Sequence, residues 1–267
     1  MSADDVTLVV PAAGVGSRLG SVLPKLLVPV DGRPMLDYLV ELYAPVVRRF
    51  VFVVRPGVEA DVEARGRALG IQVACAVQAT PTGMLDAILL SRDAVSVSVP
   101  DWVWITWCDQ VAVLPETVST LRDSCTDDSR ILMAFPTCRQ PDPYIHFDRN
   151  DADEIIGLRQ RREGDAMPAI GESDSGLFAL ARTAFFERLP AFALEAGVGS
   201  GTGERNFLPF IPWLSARHPG SIRTWPCRDA IETVGINSPD DLRRIEAHFA
   251  NRRRSTPVPP SDMPAAS

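Results

Sequence analysis

The sequence predicts an α/β fold in which a mostly parallel β-sheet is flanked by helices. Through the first half of the chain, short runs rich in β-branched residues alternate with longer amphipathic stretches. This alternation is typical of βαβ units, in which helices cover both faces of a parallel sheet. The predicted strands are residues 6–10, 50–54, 73–77, 103–106 and 131–135, and the predicted helices are residues 35–46, 58–69, 83–93 and 115–123.

The pattern changes after residue 136, where two short apolar runs flank a polar turn and favour a β-hairpin. A glycine-rich stretch at residues 197–203 is predicted to be a mobile loop. Residues 251–267 hold three arginines, four prolines and no periodicity, so a disordered tail is predicted there. The other predicted elements are hairpin strands at 144–148 and 154–158, a strand at 176–180, helices near 183–189 and 204–215, the end of a strand at 233–236, and a helix from Ser238 to about residue 250.

The composition argues against several classes of function. The net charge of −7 over 267 residues disfavours a nucleic-acid binder with a broad basic surface. The chain shows neither a signal-peptide pattern nor an apolar run near the roughly 20 residues that span a bilayer. Its five cysteines are widely spaced, and its three histidines lack the spacing of metal ligands. We therefore expect a cytoplasmic protein without a zinc site, a membrane segment or a nucleic-acid partner.

Residues 9–35 contain the most informative motif. A glycine-rich loop at residues 14–17 follows the first predicted strand, and such loops let backbone N–H groups approach phosphate oxygens. Arg18 and Lys25 add positive charge, and Pro24 stiffens the chain just before the lysine. A glycine pair after a strand can also be an ordinary tight turn. The loop matches neither the dinucleotide fingerprint nor the P-loop, so the flanking residues carry the functional prediction.

With Pro24-Lys25 and Gly32-Arg33-Pro34-Met35 at these spacings, the segment resembles the signature of the sugar-1-phosphate nucleotidyltransferases. It is most similar to N-acetylglucosamine-1-phosphate uridylyltransferase domains, followed by glucose-1-phosphate thymidylyltransferases. The resemblance implies a Rossmann-like mixed, mostly parallel sheet flanked by helices, with a small β-rich acceptor-binding lobe. It also implies a single domain over residues 1–250, divided into an NTP-binding half (1–136) and an acceptor-binding half (137–250).

The resemblance also implies the reaction and its site. A sugar phosphate would attack the α-phosphorus of an NTP in line, with UTP or dTTP as the nucleotide and Mg²⁺ as the cofactor. Asp109, which follows a strand, and Asn237, in a Gly-Ile-Asn sequence, match the metal ligands, and Arg18, Lys25 and Asp109 match the catalytic residues. Taken alone, Asp109-Gln110 fits a helix N-cap equally well. The positions implied to bind the NTP are Ala12, Ala13, Gly14, Val15, Gly16, Ser17, Gln78 and Gly83.

The similarity weakens on the acceptor side, where four residues match by position: Tyr144, Gln160, Arg161 and Asp174. Ile145 replaces the glycine of a Tyr-Gly turn, and Asp174 replaces an asparagine. An ionised carboxylate only accepts hydrogen bonds, so it serves an acetamido carbonyl poorly. N-acetylglucosamine 1-phosphate is therefore a poor fit as the acceptor.

Two other functions remain open at this point. Asp109-Gln110 also resembles molybdenum-cofactor nucleotidyltransferases, and cytidylyltransferases that act on alcohol phosphates or phosphonates share the opening motif. A catalytically inactive nucleotide or sugar sensor is the third possibility, but such a protein is expected to have lost the lysine or a metal ligand. A homo-oligomer also remains open, because residues 207–213 are expected to form an exposed apolar stretch that could pack against a second subunit.

Overall fold

The computed structural model describes residues 6–14, 16, 19–125 and 128–255. Its strands are β1 (Val6–Pro11), β2 (Pro29–Val30), β3 (Arg33–Pro34), β4 (Arg49–Val54), β5 (Gln72–Val77), β6 (Trp102–Thr106), β7 (Met133–Pro141), β8 (Ile145–Arg149), β9 (Ile155–Gln160), β10 (Ile170–Asp174), β11 (Leu177–Ala181) and β12 (Ile222–Pro226). Its α-helices are α1 (Met35–Tyr43), α2 (Glu59–Ala68), α3 (Met84–Leu90), α4 (Arg92–Ser96), α5 (Pro115–Ser124), α6 (Leu189–Glu195), α7 (Phe210–Arg217) and α8 (Pro239–Ser255).

The main sheet has the strand order β10-β7-β11-β6-β1-β4-β5, with β12 paired to the other edge of β7. Strands β6, β1, β4 and β5 are parallel, whereas β11 is antiparallel to both β6 and β7. The predicted mixed, mostly parallel sheet flanked by helices is therefore confirmed. The carboxyl ends of β1, β4, β5 and β6 lie at one edge, where ligands of such sheets bind.

The core has one layer on each face of the sheet. Along β1, Leu8 and Val10 pack into one apolar cluster, whereas Val9 packs into the other. Trp104 and Ile105 of β6 divide between the two clusters in the same way. This alternation follows from the two-residue period of a strand, and it explains why buried strands read as continuous apolar runs.

Strands β8 and β9 form the predicted hairpin, which is a small separate sheet. The hairpin packs on β10, where Ser173 Oγ donates to Ile145 O at 2.7 Å and Glu172 N donates to His146 Nδ1 at 3.0 Å. In its turn, the Asn150 side chain accepts from the backbone N–H groups of residues 152 and 154. The small β-rich lobe is thus fixed to the main sheet by specific hydrogen bonds.

The helix predicted at residues 204–215 begins later, at Phe210, and this prediction was wrong in position. Pro209 and Pro212 explain the shift, because proline is tolerated in the first turn of a helix but not in its interior. The expectation that residues 207–213 form an exposed apolar surface was also wrong. Phe207 is 1% exposed and Phe210 is fully buried, and both belong to the core.

The glycine-rich stretch 197–203, predicted to be mobile, is held by the carboxylate of Glu163. This carboxylate accepts from the N–H groups of Gly201 and Thr202, from the Thr202 hydroxyl and from the Asn206 amide. Burial acts to raise the pKa of Glu163, but these hydrogen bonds lower it to about 2. The sequence showed the glycines, but not the acceptor some 40 residues away that orders them.

The end of the chain differs from the prediction in two places. Residues 233–236 are not the end of a strand: Thr233 ends a 3₁₀ turn that begins at residue 230, and residues 234–236 have no regular secondary structure. Asp229 and Glu232 form a reciprocal capping box that favours this turn. Helix α8 continues to Ser255, so the first five residues of the predicted tail are helical. Arginines in the last turn favour this extension, since cations stabilise a helix C-terminus. Residues 256–267 lie outside the described part of the chain.

Candidate active site

The side-chain amine of Lys25 is the centre of the candidate site. Its Nζ donates to Asp109 Oδ2 at 2.5 Å and to Asn237 Oδ1 at 2.8 Å. The three residues lie far apart in the sequence, in a 3₁₀ turn after the glycine loop, after β6, and just before α8. The structure therefore brings together the predicted catalytic lysine and both predicted metal ligands.

The backbone around Asn237 fixes the direction of its amide. Asn237 Nδ2 donates to Gly235 O at 3.2 Å, which leaves Oδ1 turned toward Lys25. Ile236 N donates to Asp109 O at 3.2 Å, so the segments that carry Asp109 and Asn237 are joined directly. A Cβ atom at Gly235 would lie 3.1 Å from Asp109 Oδ2 and 3.2 Å from Asn237 Nδ2. Glycine at this position keeps both side chains close together.

Lys25 is the only lysine among the 27 basic residues of the chain. Its stem packs against Gly16, where a Cβ would lie 3.2 Å from Lys25 Cβ and where φ is +61°. Only glycine adopts that conformation readily, and a side chain there would push the lysine aside. An ammonium is a compact point charge, whereas guanidinium is a planar fork. The use of a lysine here, in a chain whose other basic residues are all arginines, favours a requirement for the point charge.

The donor set of this site fits a magnesium ion. Asp109 and Asn237 offer one carboxylate oxygen and one amide oxygen close together, and both oxygens here accept hydrogen bonds from the Lys25 ammonium. Mg²⁺ prefers hard oxygen ligands and is usually held by one or two carboxylates, together with waters and substrate phosphates. In the described part of the chain, no three His, Cys, Asp or Glu residues cluster as a metal site. Phosphate oxygens and waters would therefore have to complete the coordination.

A cavity of about 450 Å³ opens beside this centre, at the carboxyl ends of the parallel strands. Two of the predicted NTP-binding residues, Ala13 and Gln78, line it. Gln78 Nε2 donates to Gly83 O at 3.2 Å, which orients the amide and leaves its Oε1 and its second N–H to read a base. A Cβ at Gly83, where φ is +127°, would collide with the backbone of Arg205. The other lining residues are Pro24, Arg55, Pro56, Gly57, Val58, Asp61, Ala79 and Pro81.

The sequence interpretation missed Arg55 and Asp61, the two charged residues that line this cavity. Arg55 comes directly after β4, so the expectation that functional residues follow strands could have found it. Asp61 lies in the first turn of α2, where an acidic residue is common for helix stability alone. Neither residue is part of the motif on which the family resemblance rests.

The glycine loop is only partly described by the structure. Ala12 and Ala13 are buried, and Ala12 N donates to Val53 O at 2.7 Å, which anchors the start of the loop to β4. Gly14 is exposed, as expected of a backbone that faces a ligand. Three other loop residues lie outside the described part of the chain, so their roles remain predictions: Val15, Ser17 and Arg18.

Three predicted acceptor residues meet at one end of the hairpin. Arg161 N donates to Tyr144 O at 3.0 Å, and Gln160 pairs with Ile145 across the hairpin. Tyr144 is 51% exposed, whereas Gln160 is buried. The guanidinium of Arg161 pairs with Asp142. The guanidinium expected to contact the acceptor phosphate is therefore already paired with Asp142.

Asp174, the fourth predicted acceptor residue, is buried at a bend between β10 and β11. Its Oδ1 accepts from Gly176 N at 2.7 Å, and φ at Gly176 is +70°. A Cβ at Gly176 would lie 2.5 Å from Trp107 Cδ1 and 2.6 Å from Gln110 Cγ, so the bend packs against the segment that carries Asp109. Burial raises the pKa of Asp174 to about 6, and the backbone hydrogen bonds oppose this only in part.

Residues 8–203 match the family model described as the MobA-like NTP transferase domain. The chain belongs to this family. It is therefore a nucleotidyltransferase by family, and the family assignment made from the opening motif is confirmed. In the described residues of this NTP transferase, no helix is long and apolar enough to cross a membrane.

Curated relatives include two proteins named "Bifunctional protein GlmU". The one from Xanthobacter autotrophicus is 29% identical over 256 residues, which cover 95% of this chain and 55% of the relative. The one from Thermus thermophilus is 31% identical over 254 residues, covering 92% and 52%. This chain thus spans about half the length of the curated relatives it matches.

Among solved structures, the CMP:2-keto-3-deoxy-manno-octonic acid synthetase complexed with CTP aligns with a TM-score of 0.66 and 18% identity. The alignment covers 93% of this chain and 99% of that one. At this identity the match shows a shared fold, which agrees with the mixed sheet described above.

Asp174→Asn is expected to stabilise this NTP transferase near neutral pH. The pKa of Asp174 rises from 3.8 in the unfolded chain to about 6 in the folded protein, so the folded state loses stability as pH rises through that range. The loss is on the order of 3 kcal/mol above pH 7 and vanishes below pH 4. Asparagine keeps the acceptor for Gly176 N and adds no charge. Urea unfolding should show the full gain at pH 7.5 and only about a third of it at pH 4.5. Equal effects at both pH values would contradict the burial argument.

Proposed function

We propose that this NTP transferase condenses an NTP, UTP or dTTP, with a sugar 1-phosphate, and releases an NDP-sugar and pyrophosphate. The observation that carries the proposal is the convergence of Lys25, Asp109 and Asn237 beside a cavity that Gln78 and Ala13 line. Nucleotidyl transfer needs a positively charged group next to a pocket that holds the nucleobase. Such transfers depend mainly on positioning and on neutralising charge.

Each part of the site has a role in this reaction. The backbone of the glycine loop and Arg18 would hold the β- and γ-phosphates, and Gln78 would hold the base. Asp109 and Asn237 would hold Mg²⁺, which supplies charge neutralisation between the α-phosphate and the acceptor phosphate. Lys25 contacts these same two oxygens, so its ammonium would be displaced from them toward the phosphates by bound Mg²⁺. Its ammonium would stabilise the negative charge that develops at the α-phosphorus.

A second candidate is a cytidylyltransferase that acts on a non-sugar phosphate or phosphonate. The free Oε1 of Gln78 can accept from the imide N–H of uracil or thymine, but equally from the amino group of cytosine. The fold match to a synthetase complexed with CTP adds weight to this alternative. An inactive sensor is disfavoured, because Lys25, Asp109 and Asn237 are all present and in mutual contact.

Pyrophosphate release tests the proposed function. The assay crosses five NTPs with a panel of sugar 1-phosphates, non-sugar phosphates and phosphonates in the presence of Mg²⁺. Release that requires one NTP and one sugar 1-phosphate together supports the proposal and names both substrates. Release only with a non-sugar acceptor supports the second candidate. NTP binding without release from any pair contradicts both enzymes and supports a sensor.

Arg55→Ala is expected to weaken NTP binding. Arg55 lines the nucleotide cavity at the end of β4, and a hydrogen bond to a charged group is worth about 1.5–3 kcal/mol. The KM for the NTP should therefore rise about tenfold or more, with little change in kcat. Arg67→Ala, on the exposed surface of α2, is the matched control. Equal KM values for wild type and Arg55→Ala would remove Arg55 from the nucleotide site.

A further inference from the structure

The carboxylate of Asp174 has no basic partner in the described part of the chain. Fully buried Glu232 also lacks one there, but its carboxylate accepts three backbone N–H hydrogen bonds. Asp109 pairs with Lys25, and Glu172 pairs with Arg149 through two hydrogen bonds of 2.9 and 2.6 Å. Asp174 is 8% exposed and contacts no basic side chain in the described part of the chain; its contacts are with backbone N–H groups. A buried carboxylate without a cation destabilises a fold, so its presence calls for a compensating role.

The wall around Asp174 is also short of hydrogen-bond donors. Gln110 is 5% exposed, and its Oε1 is buried without a partner in the described part of the chain, because its Nε2 is turned toward Thr233 O. The head of Gln110 lies at the bend that carries Asp174, since its Nε2 would be 3.0 Å from a Cβ at Gly176. Ser175, next to Asp174, is fully buried, and its Oγ also lacks a partner among the described residues. Buried polar atoms are nearly always hydrogen-bonded. The Ser175 hydroxyl can donate or accept, but Gln110 Oε1 can only accept, so this atom fits a ligand that donates.

An aromatic ring adjoins the same bend. Trp107 is half-buried and lies against Gly176, and its ring packs at 5.4 Å from that of Phe178. The face of an indole attracts cations, and the attraction grows when water is excluded. Together, the carboxylate, an acceptor without a partner and the indole ring favour a ligand group that is positively charged and donates hydrogen bonds. They disfavour a negatively charged group.

We propose that the acceptor carries a free ammonium group, which binds the carboxylate of Asp174 while its phosphate or phosphonate faces Lys25. The inference rests on the proposed nucleotidyl transfer and narrows its acceptor. Two sources share this chemistry: a sugar 1-phosphate with an unacylated amine, and an aminoalkyl phosphate or phosphonate. An acetamido group carries no positive charge, and its carbonyl oxygen would face two other acceptors, the Asp174 carboxylate and Gln110 Oε1. The substitution of asparagine by Asp174 is thereby explained as a change in acceptor.

The test uses matched acceptors. Glucosamine 1-phosphate is compared with N-acetylglucosamine 1-phosphate, and 2-aminoethylphosphonate with ethylphosphonate, by calorimetry and by pyrophosphate release, on wild type and Asp174→Asn. In wild type, the ammonium-bearing member of at least one pair should bind about tenfold tighter or more, because truncating a buried charge pair typically costs that much or more. Asp174→Asn should bring the ratio close to one and leave the KM for the NTP unchanged. Asp101→Asn is the control, since Asp101 lies exposed just before β6, at the opposite end from Asp109.

The outcomes separate the two proposals. If the acylated or amine-free member of each pair binds as well as its partner, or if the preference survives in Asp174→Asn, the ammonium proposal is overturned even when pyrophosphate is released. If no pair releases pyrophosphate, the proposed function fails, but calorimetry still decides whether Asp174 binds an ammonium group. A preference within the sugar pair alone identifies an amino sugar phosphate, and one within the phosphonate pair alone identifies an aminoalkyl acceptor.

Discussion

Asp109→Asn is expected to lower kcat for nucleotidyl transfer by about 10²–10³, the loss that follows removal of one preorganised charge-stabilising contact. The asparagine has the same size and can still accept a hydrogen bond from Lys25. It removes the negative charge that would hold Mg²⁺ together with Asn237. The expected effect is therefore on catalysis and on the Mg²⁺ requirement, with the fold unchanged.

Pyrophosphate release measured against Mg²⁺ concentration checks this result, with circular dichroism as the test of folding. Asp101→Asn is the control because Asp101 lies at the other end of the same strand and pairs with Arg182 on the surface. The kcat of Asp101→Asn should equal that of wild type. If Asp109→Asn also retained most of its kcat, the metal site would have to lie elsewhere.

Lys25→Ala is expected to cause a loss of similar size, about 10²–10³ in kcat. No other lysine exists in the chain to take its place. Loss of the ammonium also leaves Asp109 and Asn237 without the cation that both contact. Only 13% of the Lys25 side chain is exposed, so an arginine side chain on the protein surface cannot readily take its position.

Lys25→Arg separates the need for a charge from the need for a point charge. The guanidinium keeps the charge but is larger and forked, and Gly16 packs tightly against the stem of Lys25. We expect the kcat of this variant to stay about tenfold or more below that of wild type in steady-state assays. Full activity of Lys25→Arg would show that any cation suffices, and full activity of Lys25→Ala would remove Lys25 from the mechanism.

Much of the fold could be predicted because the sheet is buried on both faces. Strands such as β1 and β4 read as largely apolar runs. Helix α1, which lies between them in the chain, buries Met35, Leu39 and Tyr43 at a helical spacing. The sequence did not reveal β10 or β12, which lie at or near the sheet edge and lack such a run. Their pairing depends on β7, which continues beyond the predicted strand to Pro141.

The residues at the centre of the site could be predicted from their sequence motifs, whereas the contacts around them could not. Lys25, Asp109 and Asn237 each occupy a recognisable sequence context, and the fold brings them together as expected. The isolation of Asp174 could not be predicted, because it depends on the bend at Gly176 and on which groups that bend excludes. Tertiary contacts of this kind leave no periodic trace in the sequence.

The most direct test of the account follows the α-phosphate of the NTP. With an NTP labelled at the α-phosphorus, the wild-type protein and Mg²⁺ should transfer the label to the acceptor, while label at the γ-phosphorus should leave in pyrophosphate. Asp109→Asn should transfer little of the α-label and release little of the γ-label in pyrophosphate. Transfer of the γ-label to the acceptor, or hydrolysis of the NTP without an acceptor product, would contradict nucleotidyl transfer at the site formed by Lys25, Asp109 and Asn237.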